Sequence, residues 1–563
     1  MRSIPEVRAF PITIRTRRYQ TCFFKSTPLL LLAAQEVILY YNAIANQWQG
    51  AVLQKSVDPS EHQEPQEVLS EGEIRFETWR RTIGWFLGPI VALIIYVLPL
   101  PGLSPEAHLL ATILGGVVVY WMTEPIPIPV TALLGPALCA ITGLASPKEV
   151  FASFAHPIIF LFIGSFFIAQ AMRVHKLDRR CAFWILSLPL IGDSPYRILF
   201  AFGAITAFLS MWISNTATTA MMFPIALGIL GTLKGLPSGR MTAYSTGFML
   251  MIAYAASVGG IGTIIGTPPN LIGVGLIEEQ LGVKISFLKW MALGVPLLVM
   301  MYLVLYVLLV GLHRPGIKKI TGIGAFIRSR RGELGDWTPG QINTAFAFLV
   351  AVFLWTFPGL LALAYGTDSS AYKWYEGHLP EGVVALIASG LLFLIPVDLR
   401  RGELTLPWRD AAAIDWGTIL LFGGGLALGE LMFKTGLSEA IGRGFVSLLA
   451  VETLWGITAL AIFVGILTSE LTSNTASASM VIPVMIAIAK SAGVSALPPA
   501  LGACLGASYG FMLPVSTPPN AIVYGSGLVP ITRMVRAGAI FDLLGFIMIW
   551  TALRVLCPLL GLV

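Results

Sequence analysis

Two short polar motifs recur inside otherwise apolar sequence. Ser214-Asn215-Thr216 is repeated as Ser473-Asn474-Thr475, and the Thr-Pro-Pro-Asn run at 267–270 is repeated at 517–520. Both break helices: Ser, Asn and Thr turn and cap them, and proline removes a backbone donor. Lipid-exposed backbone must be fully hydrogen-bonded, so a break at membrane depth persists only where it lines a cavity or binds something. Freed carbonyls and hydroxyls suit a hard cation such as sodium. A helix that starts after the turn points the positive end of its dipole at an anion, and Thr and Asn side chains can donate to carboxylate oxygens. A lone Ser-Asn-Thr is more often a plain cap, and a lone Thr-Pro-Pro a plain kink. Two copies of both, in the same order, mark a site.

Other chemistries find no support. Five cysteines and six histidines are scattered, with no HExxH and no GxxxxGK[ST], so neither a zinc hydrolase nor a P-loop ATPase is indicated. Neither Ser-Asn-Thr segment holds Lys, Arg or His, which favours sodium as the counter-charge for an anion. Glu470 stands where the first copy has Met211. An acid at that depth is either functional, in cation or proton coupling, or a structural partner; both readings stay open, and it is not placed among the site residues. Glu124 reads as an interfacial turn residue, Glu430 and Lys434 as an i, i+4 ion pair, and His156 and His175 as opposite ends of one span. The Gly423-Gly424-Gly425 run reads as close helix packing.

The elements that must position these motifs are membrane helices. The chain is 56% hydrophobic and 12% charged, with a mean hydropathy of +0.79, whereas a soluble domain is about a quarter charged. The apolar blocks have the length a bilayer requires. The expected fold is an all-α polytopic membrane protein with about 11 transmembrane helices and two re-entrant hairpins, at 197–233 and 454–490. The N-terminal residues 1–82 read as a disordered cytoplasmic tail, a targeting peptide being the other reading, with 29–41 too polar for a good span. Residues 83–104 hold the first span, 105–312 a first repeat, 313–342 a basic cytoplasmic loop and 343–563 a second repeat. Basic clusters at 75–81, 176–180, 313–331, 400–409 and 533–536 all fall on one face when spans are counted. The positive-inside rule makes that face cytoplasmic, with the N-terminus inside and the C-terminus outside.

Three matched segments, 158–177 with 418–437, 210–225 with 469–484 and 266–270 with 516–520, define the repeat at an offset of about 250–260 residues. An odd number of spans per unit inverts the second copy, a recurring transporter plan with binding near the midplane. One hairpin then enters from each side of the membrane, and the tips can meet.

Over about residues 83–563 the chain resembles the divalent anion/sodium symporters, the sodium-coupled di- and tricarboxylate and sulfate transporters. The resemblance rests on both Ser-Asn-Thr motifs, both Thr-Pro-Pro-Asn breaks and WMTEPIPIPVTALL at 121–134. It implies a homodimer in the inner cell membrane, an elevator-like movement, and sodium as coupling ion with no other cofactor. It also implies one sodium site at Ser210, Ser214, Asn215 and Gly266 and another at Ser469, Thr472, Asn474 and Ser516. The substrate dianion would contact Asn215, Thr216, Asn474 and Thr475, with Thr267, Pro268, Thr517 and Pro518 lining the pocket. The function expected is sodium symport of C4 dicarboxylates such as succinate, malate or fumarate, with no covalent chemistry and no nucleic-acid partner. Rival readings are a dicarboxylate or citrate exchanger, a sulfate symporter, a membrane-embedded enzyme, for which no base or metal cluster is visible, and an anion channel, against which paired binding turns argue.

Overall fold

The computed structural model describes residues 71–563 except 190, 233–237, 317–318, 321 and 450–451. Cys22, the apolar run at 29–41 and most of the expected tail therefore lie outside the described residues. The first helix, Glu71–Val97, starts inside the stretch expected to be tail. Its polar first turns are tied down: Arg80 pairs with Glu77 at 2.7 Å and donates to the Met122 carbonyl at 3.0 Å. Glu124 lies within 3.4 Å of the same guanidinium. Glu124 itself is in the turn foreseen for it, with φ +50°.

Eight described helices are long and apolar enough to cross a bilayer, or nine if the bent pair Ser370–His378 and Glu381–Leu394 is one span. The eleven expected spans all have helical counterparts, but four depart from a single straight crossing. Ile128–Ile141 is short, the 382–396 span is the second arm of the bent pair, and two others are broken by unwound stretches, Ser238–Gly260 from Pro268–Leu281 and Leu497–Gly506 from Pro518–Tyr524. The prolines at the second helix starts explain the breaks, since they lack the N–H that would continue the preceding helix and fit the first turn of the next. The chain is a multi-pass, almost wholly helical membrane protein. Among the described residues the strands are one small hairpin, Pro396–Asp398 paired antiparallel with Glu403–Leu404. The stretch expected as a basic loop carries a helix, Ile323–Gly332.

Both re-entrant hairpins are present, as Pro195–Ser210 with Asn215–Gly231 and Leu454–Leu471 with Asn474–Ser491. Each is fed by an amphipathic helix that the apolar pattern does not announce, Leu177–Leu186 in the first half and Leu437–Leu449 in the second. The turns into them are equivalent: Lys176 has φ +56° and Gly436 φ +78°, a left-handed conformation that glycine adopts freely and lysine does not. Asp178 and Ser438 are buried at the second position of these two helices. Burial pushes the Asp178 carboxyl up to about 6, against the Arg179 amide that donates to it.

The halves are cross-packed. Pro268–Leu281 lies against the second hairpin's Asn474–Ser491, and Pro518–Tyr524 lies against the first hairpin's Asn215–Gly231. The Cys504 thiol donates to the Pro269 carbonyl at 3.1 Å, joining the two broken spans. The Gly423-Gly424-Gly425 run packs closely as foreseen, with the Ala132 carbonyl against Gly424 and the Ser479 side chain 3.1 Å from a Cβ built on Gly425. Glu430 and Lys434 do not pair with each other: Lys434 pairs with Glu149, and Glu430 accepts from the Ser153 hydroxyl at 3.2 Å. Partners from the first half lie closer to these two side chains than their own helical neighbours do.

Candidate cation and anion site at the hairpin tips

Each hairpin tip is locked by the same three side chains. In the first, the Ser210 hydroxyl closes the incoming arm and donates to Asn215 Oδ1 at 2.7 Å, while Ser214 Oγ caps the outgoing arm by accepting from the Ala217 amide. In the second, the Ser469 hydroxyl donates to Asn474 Oδ1 at 2.7 Å, and Ser473 caps Ala476. The serine holds the amide oxygen inward, so Nδ2 of each asparagine is the donor at the first turn of an outgoing helix. Such a turn has free amides that attract negative charge.

Each unwound stretch is clamped by the asparagine that ends its Thr-Pro-Pro-Asn motif. Asn270 Nδ2 donates to the Gly260 and Thr263 carbonyls, both at 2.8 Å. Asn520 Nδ2 donates to the Gly510 and Leu513 carbonyls at 2.9 and 3.0 Å. Both asparagines are wholly buried, and they satisfy carbonyls that a helix would otherwise engage. A further carbonyl in each stretch receives a large side chain from outside the break. The Trp290 indole donates to Ile261 at 3.0 Å, and the Tyr254 hydroxyl donates to Phe511 at 2.7 Å. Sequence reasoning did not single out Asn270, Asn520, Trp290 or Tyr254. The two asparagines were within its motif; the two aromatics carry no local signal.

Tip and break meet at one point in each half. In the first, a Cβ on Gly266 would lie 2.5 Å from the Gly260 carbonyl oxygen and 3.0 Å from that of Met211, so these carbonyls close around Gly266. The Thr263 hydroxyl donates to the same Met211 carbonyl. In the second, Ser516 and Ser469 gather around Gly510, with the Ser516 Cβ 3.1 Å and the Ser469 Oγ 3.2 Å from where a Gly510 Cβ would be. There the Ser516 hydroxyl reaches the Glu470 carbonyl at 3.2 Å and its Oε2 at 2.6 Å, and the Met512 amide donates to Glu470 Oε1 at 2.8 Å. Clustered hydroxyl, amide and carbonyl oxygens of this kind suit a hard monovalent cation.

The structure thus gathers Ser210, Asn215 and Gly266 in one half and Ser469, Asn474 and Ser516 in the other. Ser214 is exposed and occupied as a cap, and the Thr472 hydroxyl is turned onto its own helix end, 3.2 Å from the Thr468 carbonyl. Of the residues expected to meet an anion, Thr216 and Pro518 are exposed, and Asn215, Asn474, Thr475 and Pro268 are half-buried. Thr267 and Thr517 are buried caps of the helices after the breaks. Among the described residues no hydrogen bond joins Asn215 or Thr216 to Asn474 or Thr475. His156 caps the helix Pro157–Val174, with its ring accepting from the Ile158 amide, and His175 contacts the Thr405 carbonyl at 2.7 Å.

Residues 80–563 match the family described as the sodium:sulfate symporter transmembrane region. The sodium-dependent dicarboxylate transporter SdcS of Staphylococcus saprophyticus is 35% identical over 484 residues, covering 84% of this chain and 91% of that protein. Its Staphylococcus aureus counterpart is 33% identical over 487 residues, covering 85% and 91%. Among solved structures, Neisseria gonorrhoeae MtrF aligns with a TM-score of 0.49 at 11% identity over 86% of this chain and 98% of its own, too distant to inform the site. With nearly its whole described length matched, the chain belongs to the sodium:sulfate symporter family, whose members couple anion transport to sodium.

Proposed function

We propose that this protein carries a C4 dicarboxylate such as succinate, malate or fumarate across the membrane together with sodium. The observation that carries the reading is the duplicated hairpin-and-break unit, in which serine and asparagine lock each tip against an unwound stretch. Sodium occupies the oxygen clusters around Gly266 and Gly510, using Ser210 and Asn215 in one and Ser469, Asn474 and Ser516 in the other. Its charge and the outgoing helix starts then receive the dianion at Asn215, Thr216, Asn474 and Thr475. The relatives named as sodium-dependent dicarboxylate transporters support dicarboxylate over sulfate. Cross-packing of hairpins and broken spans supports movement of both tips as one body, an elevator-type cycle. We assign the working form to a homodimer, as the family resemblance implies, and place the N-terminus in the cytoplasm and the C-terminus outside from the basic clusters.

The test is uptake of labelled succinate into proteoliposomes holding the purified protein. Accumulation that needs an inward sodium gradient and is blocked by excess malate is the expected result. Sodium-independent uptake that requires internal dicarboxylate would make the protein an exchanger, and uptake of sulfate alone would move the substrate assignment.

A further inference from the structure

A cavity of about 580 Å³ opens beside the first hairpin, away from its tip. It touches the outgoing arm at Met221 and Ile225, roughly 9–15 Å along that helix from Asn215. The feeder helix Leu177–Leu186 forms a second wall and the helix Ile323–Gly332 a third. Phe183, Met221 and Ile225 are buried and give the cavity an apolar floor. The half-buried Phe326 ring, packed on Gly228 of the hairpin arm, closes one side.

Most of the polar lining is already committed. Thr338 and Gln341 cap each other at the start of the helix Pro339–Tyr365, and Gln341 Nε2 donates to the His175 carbonyl at 3.0 Å. Glu333, the one acid in the lining, pairs with Arg330 at 2.8 Å. Arg180 and Arg331 nearby are spent as well, Arg180 on the carbonyls of Leu334, Gly335 and Asp336 and Arg331 on the Ser187 hydroxyl at 3.0 Å. Lys176 and Arg179 remain. Both are exposed at the cavity, and neither side chain makes a hydrogen bond or an ion pair with any described residue. Exposed basic residues need no ligand to explain them, but two facts set this pair apart. Lys176 stands at φ +56°, a left-handed conformation that costs a lysine and not a glycine. The second half builds the same corner with Gly436 in place of Lys176 and Glu439 in place of Arg179, so the fold requires neither cation. The corner also lies at a membrane boundary. Trp184 on the feeder helix and Trp337 before the helix Pro339–Tyr365 are 58% and 53% exposed, as in the aromatic belt of a bilayer interface, and Ile342 and Phe346 begin the exposed apolar surface of that last helix.

We propose that this cavity binds the phosphate headgroup of an anionic phospholipid from the cytoplasmic leaflet. Lys176 and Arg179 hold the phosphate, the first as a mobile point charge and the second through its planar fork. The glycerol backbone and the first methylenes lie over Phe183 and Phe326. Basic pockets between helices on the cytoplasmic side suit such headgroups. A soluble phosphate offers the same charge but leaves the apolar floor wet. A zwitterionic lipid sets its own ammonium against two cations. Because three walls of the cavity come from three helices, the bound lipid ties the feeder helix and the helix Ile323–Gly332 to the hairpin arm. The site is independent of which anion the protein carries.

The test is the melting temperature of the purified full-length protein in detergent, with phosphatidylglycerol, phosphatidylcholine or inorganic phosphate added at equal concentration. Phosphatidylglycerol should raise it by roughly 2–4 °C, as a ligand of the folded state does, and the other two should not. The shift should vanish in K176G/R179Q and persist in R400Q/R401Q, which removes two exposed cations elsewhere. K176G alone puts glycine in the left-handed turn, so without lipid it should melt no lower than wild type. A smaller phosphatidylglycerol shift in K176G is then a loss of binding rather than of fold, and it decides the matter if the double variant does not insert. No shift with phosphatidylglycerol in wild type, or the same shift in K176G and K176G/R179Q as in wild type, would overturn the proposal. So would an equal loss in R400Q/R401Q, which would reduce the effect to net charge. Inorganic phosphate acting as strongly as phosphatidylglycerol would overturn the lipid as the source and leave a soluble phosphate in its place.

Discussion

The two halves hold their unwound stretches in nearly the same way, yet with different side chains. Asn270 and Asn520 clamp equivalent carbonyls, and Trp290 and Tyr254 reach the equivalent Ile261 and Phe511. The link from break to hairpin, however, comes from Thr263 onto Met211 in the first half and from Ser516 onto Glu470 in the second. The first oxygen cluster is built of neutral groups around a glycine too crowded for a side chain. The second tolerates a serine and has a carboxylate behind it. The backbone break sets the shape of each oxygen cluster, while the residue behind the tip decides whether a carboxyl group stands beside it.

The comparison makes its strongest demand on the shared lock. N215A and N474A should each lower sodium-driven uptake by about 100-fold, as expected when binding groups are displaced by an ångström, with both proteins still inserted. Markedly unequal losses would mean that one tip carries the substrate and the other does not. Next comes the exchange of Gly266 and Ser516. G266S forces a side chain into the space closed by the Gly260 and Met211 carbonyls, an overpacking cost of about 1–3 kcal/mol. It should lower thermal stability in detergent more than S516G does; equal effects would show that the first cluster relaxes as easily as the second.

A more moderate change should follow from making the second tip resemble the first. E470M removes the carboxyl group behind the second cluster and should raise the sodium half-saturation roughly tenfold, about 1.4 kcal/mol, with a smaller effect on maximal rate. A change in maximal rate alone, measured by sodium titration of uptake, would place Glu470 in movement rather than cation binding.

The smallest effect belongs to the amphipathic feeder helices, outside the membrane spans. Asp178 is buried where the second half has Ser438, and its carboxyl is pushed up to about 6 by burial. The folded state therefore holds the Asp178 proton more tightly than the unfolded chain. The associated stability is complete below the unfolded pKa of ~3.9 and is lost as pH rises through about 6. D178S should gain thermal stability over wild type between about pH 4 and about pH 6, with no further gain above that range. A pH-independent difference in melting temperature would remove Asp178 as the cause.

Much of this plan is legible in the sequence because its signals are local and duplicated. Ser214-Asn215-Thr216 and Ser473-Asn474-Thr475 announce hairpin tips, and the paired prolines announce the broken spans. The helices Leu177–Leu186 and Leu437–Leu449 are less legible, since they are short and amphipathic beside long apolar runs. The family resemblance puts Thr472 with the second cluster, but its hydroxyl donates to the Thr468 carbonyl of its own helix. Trp290 and Tyr254 act on breaks far from them in sequence, and no spacing rule connects residues brought together only by helix packing. Lys434 illustrates the same limit: a helical neighbour was at hand, and the fold offered Glu149 instead.

The cross-packing of the halves also sets an order in time. The first hairpin's outgoing arm ends at Gly231, and Pro518–Tyr524, the helix laid against it, is about 290 residues further along the chain. At synthesis rates of ~5–20 residues per second, the first tip waits for roughly 15–60 s before its neighbour exists. Through that interval its polar turn lacks the helix that covers it in the finished fold. Membrane insertion must therefore shelter an unfinished first half, and assembly of the site is an event of the chain's completion.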